Sequence, residues 1–355
     1  MIAVIMAGGV GSRFWPRSRV KRPKQLLDIV SDDSMLRVTF DRLKYVTDPG
    51  RIYVVAGPDL ADAIKTDLPE MPEDNLIIEP SGKNTAPAIG LVAVMLRAQY
   101  QDEVMGVFSA DHLIEDVEAF ARDVRSGEEF AKQNDALITF GIQPDQPATG
   151  YGYIQIDPDK PLARQHIFRV SRFAEKPGLE TAKQMVVSGE YLWNSGMFMW
   201  RTASILKAIK NHMPVLSEVL HTIGDSVSDE DFLSILKHNW GAIKGESIDY
   251  GVMEQAENVF VISASFDWND VGSWDALYDL SEKDPAGNVL QGDIQIIDVE
   301  NCLVHSKDLR IAAVGLKDLL IIKSGDALLI VNRRESQRVK EIVNALKANQ
   351  EIKYL

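Results

Sequence analysis

The chain has 355 residues, enough for one large domain and a smaller one, and its 45% hydrophobic and 25% charged residues suit a core-forming protein rather than a disordered one. A net charge of −14, from 52 acidic and 38 basic side chains, disfavours a general nucleic-acid or anionic-membrane binder but leaves room for one local basic site. The single cysteine, Cys302, excludes an intrachain disulfide, fits a reducing compartment and reads as a small buried apolar residue. In chain order, short apolar, β-branched runs fall at 2–6, 52–56, 76–78, 104–108, 137–140 and 259–262 and predict strands. Between them, 85–97 and 119–133 carry apolar residues at three- and four-residue spacing and predict helices. This alternation predicts an α/β fold, a mixed, mostly parallel sheet flanked by helices over 1–285. No basic segment precedes the first apolar run, and glycines interrupt it after Ala7, so no signal peptide is expected. The longest other apolar stretch, around 89–96, is too short to span a bilayer, so no membrane association and a cytoplasmic setting are expected. Beyond Pro285 the texture changes to strand-like pieces every six to ten residues. This predicts a small β domain over 286–355, resembling a few coils of a left-handed β-helix. It closes on an amphipathic helix over 335–347, where Val339, Ile342, Val343 and Leu346 share a face.

The first predicted strand runs into "MAGGVGSRFWPRSRVKRPKQ" (6–25), which holds Arg13, Arg17, Arg19, Lys21, Arg22 and Lys24. Glycines behind a strand let backbone N–H groups approach an anion. The P-loop pattern is absent, and the dinucleotide fingerprint fails because Phe14 stands at its third glycine. What remains is G-G-x-G-x-R-x-x-P with a following Pro-Lys pair: Gly8, Gly9, Gly11, Arg13, Pro16, Pro23 and Lys24. Arg13 can fork onto two phosphate oxygens, and Lys24 can add a compact charge. Arg17, Arg19, Lys21 and Arg22 read as outer or solvated charges.

In ligand-binding α/β sheets, sites collect beyond the carboxyl ends of strands. Asp111 stands just past the run 104–108, and Asp270 lies in the Trp-rich loop 268–272. Taken singly, either aspartate could be a helix cap or a surface charge. "EPSGKNTAPA" follows the run 76–78. It offers Glu79 as an acceptor, but it equally reads as a helix start with Asn84 or Thr85 as cap and Pro87 in the first turn. Gly150, Tyr151 and Gly152 form a glycine–aromatic loop that suits a sugar or a hairpin turn equally well. Glu175-Lys176 reads as a sugar-phosphate contact or as a surface ion pair, and Asn194-Ser195-Gly196 adds short polar groups.

Together these segments resemble the nucleotidyltransferases that join a nucleoside triphosphate to a sugar 1-phosphate, and more narrowly the bacterial mannose-1-phosphate guanylyltransferases. The resemblance rests on 6–25, "IIEPSGKNTAPAI" (77–89), "FSADHLI" (108–114), "ATGYGYIQ" (148–155), "FAEKP" (173–177), "LWNSGMFMW" (192–200) and "FDWNDVGSWDAL" (266–277). It implies transfer of GMP from GTP to α-D-mannose 1-phosphate, giving GDP-mannose and pyrophosphate. It implies a nucleotide site of Ala7, Gly8, Gly9, Gly11, Ser12, Arg13, Lys24, Glu79, Pro80, Asn84, Thr85, Ala86 and Asp111. It implies a sugar site of Gly150, Tyr151, Gly152, Glu175, Lys176, Asn194, Ser195 and Gly196. Arg13, Lys24 and Lys176 would be catalytic, and Asp111 and Asp270 would hold Mg²⁺ or another divalent cation, with Asp267 a weaker alternative to Asp270. Asp249-Tyr250 is similar to a further family segment near the sugar. The nucleophile is a phosphate monoester whose second pKa is near 6, so no general base is required. Catalysis would come from alignment and charge neutralisation.

Alternatives are a nucleotidyltransferase for another sugar or base, and a catalytically silent regulatory subunit. The charged residues retained at 13, 24, 111, 176 and 270 argue against the silent subunit. A nucleic-acid-binding module is disfavoured by the net charge. The chain stops soon after the small β domain, so transferase activity without a further isomerase domain is expected, as is a homodimer.

Overall fold

A computed structural model describes residues 1–9, 11–157, 160–162 and 166–355. They form two compact units, each drawn from separated stretches of chain. The first comprises Met1–Gly8, Thr39–Ala110 and Ile114–Trp268; the second comprises Gly9–Val38, Asp111–Leu113 and Asn269–Leu355.

The first unit is built on a ten-stranded mixed sheet. In chain order its strands are β1 (Ile2–Met6), β2 (Ile52–Ala56), β3 (Leu76–Ile78), β4 (Val104–Ser109), β5 (Leu137–Ile142), β6 (Gly152–Gln155), β7 (Ile167–Arg169), β8 (Arg172–Glu175), β9 (Tyr191–Arg201) and β10 (Val259–Ser263). The spatial order is β3-β2-β1-β4-β9-β5-β10-β7, with β6 pairing both β8 and β9. The four strands from β3 to β4 run parallel, as do β5 and β10. β9 enters antiparallel to both of its neighbours β4 and β5. Every residue of β2 and β5 is buried, as expected of strands covered on both faces, and this is why their sequences read as unbroken apolar runs.

The expected helices form with slightly different ends. Thr85–Tyr100 extends beyond the predicted 97 and is apolar around most of its circumference, consistent with burial of nine of its residues. Val117–Gln133 starts two residues earlier than predicted because Asp116 caps it, accepting the Ala119 N–H at 2.9 Å. Its buried face carries Ala119, Phe120, Val124, Gly127 and Ala131.

The second unit has the coil-like pattern expected past Pro285. Its strands are β11 (Val289–Gln291), β12 (Ile294–Ile297), β13 (Leu303–His305), β14 (Ile311–Val314), β15 (Leu319–Ser324) and β16 (Ala327–Asn332). β11, β13 and β15 stack in parallel, with Val289, Leu303 and Leu320 in register, and β12 stacks on β14. β16 closes the larger sheet as an antiparallel hairpin on β15. Cys302 is fully buried inside these coils, as its apolar reading expects. The terminal helix spans Val339–Ala348; the residues before it form a tighter turn, Arg333–Arg338, so it starts later than predicted.

The chain behind Gly9 is anchored within this second unit. Phe14 packs on Trp274 with ring centroids 5.0 Å apart, in a core shared with Leu303, Leu320, Val339 and Val343. The Trp274 indole N–H donates to the Trp15 carbonyl at 3.0 Å, and the Trp15 indole N–H donates to the Tyr354 carbonyl at 2.9 Å. Each large side chain buried this way contributes roughly 1.5–3 kcal/mol. The basic loop is therefore held by a packed platform.

Candidate active site

The glycine loop lies mostly in the second unit. Gly11 takes φ +63°, and a Cβ there would overlap the Lys24 Cβ, so the position requires glycine for both its conformation and its space. The Gly11 carbonyl accepts the Ser18 hydroxyl at 2.7 Å and the Phe14 N–H at 2.9 Å, and Gln25 Nε2 donates to the Gly9 carbonyl at 3.3 Å. Ser12 and Arg13 follow in a single tight turn. Arg13 is exposed, with no ion pair or hydrogen bond among the described residues. Its guanidinium is open to solvent and to an incoming anion.

Lys24 is placed differently from the open cation that its motif suggests. It is 5% exposed, and its ammonium donates to the Asp111 carboxylate at 2.7 Å, the Asp111 carbonyl at 3.2 Å and the Asp270 carbonyl at 2.5 Å. Asp111 and Asp270, distant in sequence, thus meet at one point. A short antiparallel bridge sets them there: Leu113 and Asn269 exchange backbone hydrogen bonds of 2.9 and 3.0 Å. The Asp270 side chain turns toward Gly272, where a Cβ would lie 2.8 Å from Oδ2. Among the described residues no group of three or more His, Cys, Asp or Glu stands together as a metal cage. Two aspartates brought to one point are nevertheless a donor set that suits Mg²⁺, which takes one or two protein carboxylates and completes its shell with phosphate oxygens and water. Asp267 does not share this point. Both its oxygens are engaged by the backbone N–H groups of Glu115 (2.9 Å) and Asp116 (2.8 Å), an anchoring role.

Of the remaining basic residues, Arg17 is 6% exposed and ion-paired to Asp28, so it is not a solvated charge. Arg22 also pairs with Asp28, at 3.1 Å, and Arg19 with Asp326, at 3.3 Å.

The first unit carries the other predicted residues. Ala7 ends β1 buried, its N–H on the Val55 carbonyl at 2.9 Å, and Gly8 is exposed. Glu79 and Pro80 follow β3. Glu79 is 8% exposed, and its Oε2 has no hydrogen-bond partner among the described residues. Burial pushes its carboxyl pKa up, opposed by the Lys83 N–H. Asn84, at φ +72°, caps the helix by accepting the Thr85 N–H at 2.8 Å, so the helix-start reading holds. Thr85 Oγ1 accepts the Ile248 N–H at 2.8 Å, and the Ala86 N–H donates to the Glu246 carbonyl at 3.1 Å.

A second cluster forms around β9. The β5–β9 register shifts between the pairs Thr139–Phe198 and Gly141–Asn194, so that Phe140 alone stands opposite Ser195, Gly196 and Met197, a bulge of the kind that re-aims side chains beside sites. Asn194 Oδ1 accepts the Thr139 hydroxyl at 2.9 Å and the Gly196 N–H at 3.2 Å, and its Nδ2 donates to Asp249 at 2.8 Å. Ser195 is buried and accepts the Met197 N–H at 3.3 Å. Glu175 ion-pairs with Lys176, which is exposed and strained at φ +48°. Gly152 lets the Glu175 carboxylate lie close against the backbone, where a Cβ would make that side chain shift. Gly150 is exposed; Tyr151 meets Trp193 and Trp268 edge-on, at 5.0 and 5.3 Å. Burial and the nearby Glu175 push the Asp249 carboxyl up to about 6, and Lys176 works against them. Asp249 belongs to this cluster as fully as Asn194, yet its own segment, Asp249–Met253, gives no local sign beyond the family likeness.

In the second unit, an exposed guanidinium behind a glycine loop and a lysine bridging two aspartates suit phosphate; in the first, a carboxylate–amide cluster suits hydroxyls. Residues 2–287 match the nucleotidyl transferase family model, and 292–346 match the mannose-phosphate isomerase/GMP-like β-helix domain. The chain belongs to the nucleotidyl transferase family, whose members generally use a divalent metal. It is 39% identical to a mannose-1-phosphate guanylyltransferase of Klebsiella pneumoniae and 40% identical to one of Escherichia coli. Both alignments span 100% of this chain and 75% of the relative. A crystal structure of a mannose-1-phosphate geranyltransferase from Thermus thermophilus superimposes with a TM-score of 0.87 at 31% identity, covering 98% of this chain and 99% of that one. No helix among the described residues is long and apolar enough to cross a membrane.

Proposed function

We propose that this protein transfers GMP from GTP to α-D-mannose 1-phosphate, releasing pyrophosphate and forming GDP-mannose. The observation that carries this reading is the convergence of Lys24, Asp111 and Asp270 behind the glycine loop that presents Arg13. The full-length identity to mannose-1-phosphate guanylyltransferases supports the choice of substrates.

Gly9, Gly11 and Ser12 offer backbone to the triphosphate, and Arg13 clamps it with a bidentate fork. Lys24 ties the Asp111 carboxylate to the backbone carbonyl of Asp270 and so holds the two segments together. Those two aspartates hold the divalent cation, Mg²⁺, which when bound neutralises phosphate charge. Glu79 accepts from the N–H groups on the Watson–Crick edge of guanine, an acceptor role its unpartnered oxygen fits. Asn84, Thr85 and Ala86 line the base and ribose. Glu175, Asn194 and Asp249 accept and donate to sugar hydroxyls, and Lys176 holds the incoming phosphate. That phosphate is largely ionised at neutral pH and attacks the α-phosphorus in line. The protein supplies alignment and electrostatic stabilisation rather than a base. A cytoplasmic homodimer completes this reading, and sedimentation tests the dimer.

The test is turnover of the Arg13→Ala and Lys24→Ala variants, read as pyrophosphate release from GTP and mannose 1-phosphate. Each is expected to lose at least about tenfold in kcat with a native circular dichroism spectrum. Near-parent kinetics in either variant would remove that residue from the catalytic set.

A further inference from the structure

Residues 241–247 of the first unit form no helix or strand, yet with Trp240 and Ile248 at their ends they grip the loop that follows β3. The Trp240 indole N–H donates to the Ser81 carbonyl at 2.7 Å. The Glu246 N–H donates to the Lys83 carbonyl at 3.1 Å, and the Glu246 carbonyl accepts the Ala86 N–H at 3.1 Å. The Ile248 N–H donates to Thr85 Oγ1 at 2.8 Å. Resting on the guanine and sugar roles proposed for Glu79 and Asp249, we infer that residues 240–249 are a positioning strap that sets the loop 79–86 and Asp249 against each other, so that one segment aligns both substrates.

One side of the strap leads to Glu79. Lys83, whose carbonyl the strap holds, turns its own N–H to the Glu79 carboxylate and so stands between the strap and the acceptor proposed for guanine. The Ala86 N–H is one of the donors that a helix leaves unmet at its start, and the strap meets it from outside the helix.

The other side leads to Asp249. It directly follows Ile248, accepts Asn194 Nδ2 at 2.8 Å and opens a single π-helical turn, Asp249–Met253, a form that recurs at functional sites. Trp240, Ile248, Val252 and Met253 are buried in one apolar core. Both ends of the strap are therefore fixed, and a displacement of its middle falls on the loop it touches.

The middle is built for close approach. A Cβ on Gly245 would lie 2.8 Å from the Lys83 carbonyl oxygen, a backbone atom that cannot swing aside as a side chain can. Gly241, in the same stretch, has ordinary room, with its nearest neighbour at 3.7 Å. Both glycines are exposed, and neither is among the residues assigned to a substrate.

Initial rates of pyrophosphate release by the full chain, with GTP and mannose 1-phosphate each varied, test this. Gly245→Ala is expected to raise the KM for both substrates by about threefold or more. Gly241→Ala is expected to stay within about twofold of the parent in both. Thr85→Val removes the acceptor for Ile248 and is expected to raise the KM for mannose 1-phosphate by about fivefold or more, with Thr85→Ser restoring it. A strap that only supported the fold would lower the active fraction, and with it kcat, and leave both KM values unmoved; that result overturns the inference. So does a Gly245→Ala variant in which one KM alone moves, or a Thr85→Val variant that raises the KM for GTP alone. The parent's own rates judge the substrates separately. A parent that prefers another nucleotide or sugar phosphate contradicts the proposed function, while its variants, run with the preferred pair, still decide the strap. A parent that releases no pyrophosphate from any pair overturns both.

Discussion

Glu79 and Asp249 are two acids that burial has made costly to ionise, and each predicts something different. Glu79 keeps one oxygen buried and unpartnered. If that oxygen accepts from guanine, Glu79→Gln exchanges an acceptor for a donor at the base. The KM for GTP is then expected to rise about tenfold with kcat little changed, read from initial rates with GTP varied. Asp249 has its folded-state pKa raised to about 6, above the ordinary carboxylate value. A raised acid pKa means that the folded state binds the proton more tightly than the unfolded chain does. Stability therefore falls as pH rises from about 4 to about 6, and the full cost persists above 6. Removing the charge should remove that cost. Asp249→Asn is expected to gain stability relative to the parent at pH 7.5 and to lose that advantage toward pH 4.5, measured by urea denaturation at both pH values. Neither environment was legible in the sequence. Lys24 and Arg17 make the same point: both read as free or solvated cations, and both are buried against carboxylates that come from segments with no local relation to them.

At the scale of elements, the parallel strands were the easiest to read, because burial on both faces leaves an unbroken apolar run. Predicted and observed strands at 2–6, 52–56 and 76–78 coincide. β8 was not legible, since Arg172–Glu175 is half polar and gains its place only by pairing with β6. β9 does not read as a strand from its motif, because the polar run Asn194-Ser195-Gly196 breaks its apolar pattern; Asn194, at the edge of the bulge Ser195–Met197, donates to Asp249. The coils of the second unit were visible as a texture but not as a repeat, because successive coils differ in length. The glycine loop was read correctly as an element that needs glycine, although its reason lies partly in a neighbour. Gly11→Ala would strain a positive φ and drive a methyl into Lys24. It is expected to cost on the order of 2 kcal/mol or more in urea denaturation, and to lower activity through Lys24.

For the whole molecule, a net charge of −14 and a compact basic loop are compatible once the basic residues are separated by role. Arg13 alone of the loop's arginines stands exposed and unpaired among the described residues, while Arg17, Arg19 and Arg22 are committed to Asp28 and Asp326. The positive charge facing solvent is thus small and local, suited to one polyanion rather than to a nucleic acid. The family was legible because several separated segments matched together; in the proposed function the specificity for guanine and mannose would rest on Glu79 and on the Asn194–Asp249 cluster, and no composition or periodicity announces either. The central claim is therefore a claim about substrates. The measurement that tests it most directly is pyrophosphate release by the purified protein with Mg²⁺, with each of four nucleoside triphosphates crossed against mannose, glucose and N-acetylglucosamine 1-phosphates. The account predicts that GTP with mannose 1-phosphate exceeds every other pairing in kcat/KM by at least about tenfold. A higher value for another base or sugar, or tight nucleotide binding with no pyrophosphate released from any pairing, would contradict it.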